Sequence, residues 1–162
     1  MSRNTTAADA IELDPRRRAV TRPALVRVRR VAAWLHLKLA LALVLGVFVQ
    51  VYLIGSYIFG AGQVALEAHR TVGFSLQGPE LFILLTALIA WLPRVDMLFS
   101  LLVATVGFVQ AGLAGAHRWV GGLHPLLALV VLSLAALLAT RGIRRQRHPA
   151  QPPLVADRFL VE

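Results

Sequence analysis

The sequence contains no cysteine, which excludes disulfide bonds, thiolate catalysis, cysteine-ligated metal clusters and any cofactor tethered through a thioether. Charge is scarce too. Only 15% of the 162 residues are Asp, Glu, Lys or Arg, while 57% are hydrophobic and the mean hydropathy is +0.69. A water-soluble domain of this length needs far more polar cover. Acidic residues are few, eight against 17 Lys and Arg, for a net charge of +9. In place of polar surface the chain has apolar runs near the roughly 20 residues that a bilayer demands of a spanning helix.

Four such spans can be drawn. The first covers about residues 39–59, LALALVLGVFVQVYLIGSYIF, and Gly60-Ala61-Gly62 ends it, since glycine favours helix termination. Residues 63–70 read as a short connection or a helix start. The uninterrupted apolar run at 81–92 is too short to cross. The second span is therefore drawn over 71–92, which brings Gln77, Gly78, Pro79 and Glu80 into the membrane and predicts a kink at Pro79. A tight PRVD turn at 93–96 leads to a third span at about 97–116, and the fourth covers about 120–140. Residues 1–30 read as a basic, disordered tail, with Pro15 and Pro23 discouraging a continuous helix. A second basic, polar tail covers 141–162. The fold class is thus an all-α integral membrane protein whose domain, residues 31–140, is an antiparallel four-helix transmembrane bundle.

Lys and Arg set the orientation. Nine lie in residues 1–38, one in the 93–96 turn and five after Thr140, whereas only Arg70 and Arg118 fall at the other ends of the spans. The positive-inside rule then places both termini on the cytoplasmic side of a bacterial inner membrane. Topology accounts for the net charge, so no nucleic-acid partner is expected. The expected partners are membrane lipids, with Gly-rich faces open to a second membrane protein or a second copy of the chain.

Within this frame the sequence nearly repeats itself. AHRTVG at 68–73 returns as AHRWVG at 116–121, and Gln50 and Gln110 each open a Q-x-x-L-x-G segment in an odd-numbered span. Two pseudo-repeated helical hairpins would produce this pattern. The two repeats disagree about which histidine matches His69: the hexapeptide points to His117, the spacing from the glutamine to His124. An imidazole is a usual haem or metal ligand if it projects inward from a helix beside small residues. His69 has Gly73 four positions on, and His124 has Gly121 and Ala128 within one turn. His117 and Arg118 read as connection residues. One count opposes the pairing of His69 with His124: measured back from Arg94 and Arg141, His69 lies roughly 12 Å farther from the inner face at about 1.5 Å per residue. His36 and His148 read as polar residues at headgroup level. Gln50 and Gln110, mid-span among glycines, read either as interhelical hydrogen-bonding groups or as polar contacts to a cofactor. Glu80 is the costliest residue to place, because a carboxylate at membrane depth faces a bundle interior or a cavity. It reads either as a neutral side chain bonded to carbonyls freed by Pro79 or as a proton or cation site.

The Q-x-x-L-x-G segments, H-R-x-x-G at His69 and G-x-L-H-x-x-x-A-L at His124 together resemble a family of small uncharacterised bacterial four-helix membrane proteins. More distantly they resemble one four-helix half of haem A synthase and similar b-type haem bundles. The resemblance covers about residues 35–140. It implies haem b held by His69 and His124, with Arg70 beside it, for electron transfer or an accessory role. It departs from haem A synthase where Glu67 precedes His69 by two positions rather than three, and where only one half is present, so a two-haem oxidation site is not implied. Two other readings stand beside it: a small ion-coupled transporter centred on Glu80, and a non-enzymatic membrane scaffold or assembly subunit.

Overall fold

A computed structural model describes residues 15–147 of the chain. Five helices follow one another: α1 (Pro15–Ser56), α2 (Gln63–Ala90), α3 (Arg94–Leu113), the single turn α4 (Arg118–Gly121) and α5 (Leu123–Arg147). Among the described residues there is no strand, and four helical stretches are long and apolar enough to cross a membrane. The shortest, α3, has 20 residues, about 30 Å at 1.5 Å per residue, which just matches a hydrocarbon core.

The connections are built from local chemistry. The end of α1 widens into a π-helical turn, Tyr57–Ala61, in which Gly60 has φ 95°, and Gly62 follows with φ 78°. Both angles lie in the left-handed region that glycine enters at no steric cost, so the GAG segment reverses the chain as its composition predicts. At the far end α2 stops on Trp91, which is left-handed with φ 55°. The Trp91 N–H donates to the Leu88 carbonyl and the Leu92 N–H to the Ala87 carbonyl, a Schellman-type closure with Trp in the place glycine usually holds. Pro93 then caps α3, whose helix begins at Arg94, so the expected 93–96 turn lies two residues earlier, at 91–93.

The helix boundaries differ from the drawn spans at several places. Helix α2 begins at Gln63 rather than 71, α3 covers Arg94–Leu113 rather than 97–116, and the start of α1 and the end of α5 extend furthest. Helix α1 begins at Pro15, so half of the expected N-terminal tail is helical. Pro15 stands at the first helical position, where its missing N–H is not needed, and Pro23 forfeits only one bond inside the helix. Tertiary contacts begin only at the inner end of this extension: the Arg29 guanidinium lies over the Trp91 ring, Ala32 packs with Ala87, Ala90 and Leu92, and Leu37 fits against Gly142 of α5. At the other end α5 continues past Thr140 to Arg147, with Arg144, Arg145 and Arg147 in its last turn, where cations complement the helix dipole. Residues 1–14 and 148–162, including His148, lie outside the described residues.

Helix α1 packs on α2 and α5, and α3 packs on the same two helices. Consequently α2 and α5 face each other across one diagonal of the bundle, and α1 and α3 across the other. A layer of fully buried apolar side chains, Leu43, Ile83, Val103, Val131 and Leu138, takes one or two residues from each helix and fills the middle. Large hydrophobic residues such as Phe48, Tyr52, Phe74, Phe108 and Leu126 point outward, as lipid-facing side chains do when small residues hold the helix contacts.

Candidate functional site

The apolar middle layer separates two polar regions. At the end carrying the Tyr57–Ala61 and α3–α5 connections, His69 lies in the second turn of α2 and His124 in the first turn of α5. Their ring centres are 6.2 Å apart, with planes at 84°. The count back from Arg94 and Arg141 had set them on different levels, and the reason it fails is visible in α5. Arg141 is not at the helix end but well inside it, so the proper comparison is with the ends of α2 and α5. There, 21 residues separate His69 from Ala90 and 23 separate His124 from Arg147.

Each ring is fixed the same way. The Nδ1 of His69 is 3.1 Å from the Gln50 carbonyl oxygen of α1, and the Nδ1 of His124 is 2.9 Å from the Gln110 carbonyl oxygen of α3. A carbonyl only accepts, so Nδ1 carries the proton in both rings and Nε2 carries the free lone pair. The Gln110 carbonyl is available because α3 is ending there: the Ala114 N–H turns to the Ala111 carbonyl instead, leaving an orphan acceptor of the kind every helix terminus has. The repeat seen in the sequence is therefore a repeat of one hydrogen bond, glutamine carbonyl to histidine, across both hairpins. The unequal spacings, 19 and 14 residues, are absorbed by connections of different build. His117 lies exposed in the α3–α4 connection, outside the wall formed by the other two histidines, and the hexapeptide echo does not extend to the site.

Both rings line a cavity of about 480 Å³, whose wall also includes Arg70, Gln50, Gln110, Phe74 and Glu80. This is within the usual range for small-molecule sites. Glutamine side chains supply further unused polar groups: the Oε1 atoms of Gln50 and Gln110 are buried without a hydrogen-bond partner. Gly73 makes room for the Gln50 amide, since a Cβ there would stand 2.5 Å from Nε2. Glu80 is only 4% exposed and sits against Gly107, where an added Cβ would meet its carboxyl group at 2.2 Å. The arrangement brings together every residue singled out from the sequence as a site candidate except His117. Among the described residues no three His, Asp or Glu side chains group to hold a bare metal ion. Two imidazoles with free Nε2 lone pairs, their rings 6.2 Å apart in one cavity, are instead a two-ligand donor set.

At the opposite end lies a cluster that the sequence reading missed. His36, expected at headgroup level, is 1% exposed, and its Nε2 is 3.0 Å from Ser100 Oγ. Ser100 donates its own hydroxyl proton to the Asp96 carbonyl at 2.7 Å, so the His36 Nε2–H is the donor to Ser100. Asp96, also 1% exposed, pairs with Arg141 and, at 2.9 Å between Oδ2 and Nη2, with Arg145. The second contact is one of charges rather than an aligned hydrogen bond, because neither of those two atoms has a hydrogen-bond partner. The available signal was the spacing of Arg141 and Arg145, one helical turn apart, opposite an aspartate placed in the first turn of α3. Reading PRVD as a turn concealed it.

No protein-family model, no curated protein and no solved structure matches the chain.

Proposed function

We propose that the protein binds b-type haem between α2 and α5, with His69 and His124 as axial ligands and Arg70 at the cavity mouth beside a propionate, and that it serves electron transfer or an accessory role at the outer face of a bacterial inner membrane. The observation that carries this reading is the histidine pair itself. The rings of His69 and His124 stand 6.2 Å apart in one cavity, and their Nε2 atoms would hold the iron of a haem placed between them. When bound, haem supplies one-electron exchange at its iron.

The chain's own residues do the rest. Donation of Nδ1–H to the Gln50 and Gln110 carbonyls holds each ring in one tautomer and raises the basicity of Nε2. Arg70 is exposed at the mouth, where a guanidinium can form paired bonds to a carboxylate. Ile54, Leu66 and Leu76 give the wall its apolar part. The cytoplasmic placement of the termini rests on the distribution of Lys and Arg.

Absorbance of protein purified after haem-supplemented expression tests the reading. The parent protein is expected to show the Soret band and the low-spin spectrum of bis-imidazole iron, with both His69→Ala and His124→Ala losing the low-spin form. A parent without a Soret band, or a spectrum unmoved by both substitutions, refutes it.

A further inference from the structure

Glu80 has no role as an axial ligand or a propionate partner, yet it occupies the deep end of the same cavity. Its side chain is 4% exposed, and the surface it keeps faces the cavity. A carboxylate in so buried a place is costly unless something supplies its hydrogen bonds. The protein has also cleared space for it, because only glycine at 107 leaves room for the carboxyl oxygens. Gln50 and Gln110 line the same cavity and, with Glu80, His69 and His124, make its wall polar enough to hold water. Beyond Glu80, toward the Asp96 cluster, the buried layer of Leu43, Ile83, Val103 and Leu138 closes the way.

We infer that Glu80 is a proton-binding group reached by water only from the histidine end, and that its protonation is linked to the redox state of the site above it. The inference rests on the haem reading. As one electron enters that site from an external one-electron donor, a proton from water at the cavity mouth forms an O–H bond on the Glu80 carboxylate, offsetting the added negative charge. The groups that face Glu80 leave it the natural partner for this. Among the cavity-lining residues α1 contributes Gln50 and α3 contributes Gln110, neither of them titratable; α5 contributes His124, and α2 itself contributes His69 and Arg70. His69 and His124 are committed to their carbonyl bonds and to the cofactor. Asp96, His36, Arg141 and Arg145 lie on the far side of the apolar layer.

The size of the linkage follows from distance. Eleven residues of α2 separate His69 from Glu80, about 16 Å along the axis. At an effective dielectric constant of about 20, one unit of charge at that distance changes proton affinity about sixfold. At 59 mV per tenfold for a one-electron couple, that is a span of about 45 mV.

Spectroelectrochemical titration of the full-length, haem-loaded protein between about pH 5 and pH 9 reads this directly. The midpoint potential is expected to fall by about that span as pH rises, to become flat in Glu80→Gln, and to keep its slope in Glu80→Asp. A parent potential independent of pH, or the same slope in Glu80→Gln, overturns the inference while leaving the haem reading intact. Absence of a Soret band in the parent instead removes the haem reading. Should Glu80→Gln fail to fold, redox-difference infrared spectra of the parent carrying isotope-labelled glutamate decide the matter. A glutamate carboxyl C=O band that grows on reduction supports the proposal, and its absence defeats it.

Discussion

Replacing Asp96 by Asn tests the energetics of the bundle most sharply. The substitution keeps the volume and removes the charge, leaving Arg141 and Arg145 facing each other across a neutral amide. Asp96 is 1% exposed, whereas the two arginine side chains are 42% and 33% exposed. Breaking a fully buried ion pair by removing one partner costs about 3–5 kcal/mol, and an exposed pair is worth about 0–1 kcal/mol. With the acid buried and the bases partly wet, the loss should fall between these limits, at about 2–3 kcal/mol for the two contacts together. For a chain of this size that corresponds to a fall in melting temperature of roughly 4–12 °C. Thermal unfolding in detergent micelles, followed by circular dichroism, measures it. The attribution is checked by a double-mutant cycle: in an Arg141→Gln, Arg145→Gln background the same Asp96→Asn change should cost under about 1 kcal/mol. A single Asp96→Asn variant as stable as the parent would refute the reasoning, and so would an equal loss in both backgrounds.

Ser100→Ala removes the acceptor of the His36 Nε2–H and strands a buried donor, so a loss of about 1–3 kcal/mol is expected in the same unfolding assay; Ser100→Thr, which keeps a hydroxyl, should recover part of it. Gly107→Ala puts a methyl where the Glu80 carboxyl lies, and the helix itself has no objection to alanine. It should therefore displace Glu80 rather than break α3, costing about 1–3 kcal/mol by overpacking, and pairing it with Glu80→Ala should recover most of that loss in thermal unfolding.

The fold was largely legible without coordinates because its signal is local. Four apolar stretches of spanning length, glycines at 60 and 62 and a proline at 93 set the number of helices and where the chain turns. The helix ends were not legible, since hydropathy marks where lipid begins rather than where hydrogen bonding stops. Ala32 and Leu37 are buried ahead of the apolar run of α1, and the Arg-rich last turn of α5 stays helical on its own dipole and on Asp96. The cavity candidates were legible in part. His69, Gln50, His124 and Gln110 declared themselves by repeating, but the repeat is of a hydrogen bond from side chain to backbone, which no residue pattern spells out.

By itself, then, the sequence determined an all-α bundle of four membrane-length helices, because apolarity over 20 residues and glycine at the turns act through the chain's own backbone. It also determined that His69 and His124 belong to one end, since each lies near the start of an even-numbered span. Only the tertiary structure decided that those spans stand on one diagonal, which brings the two rings to 6.2 Å. Only it decided that His36 and Asp96 are buried with Ser100, Arg141 and Arg145. Charge pairing and burial depend on which helix faces which, and that is settled by the packing of side chains such as Leu43 on Ile83 and Leu37 on Gly142, not by any property of one segment alone.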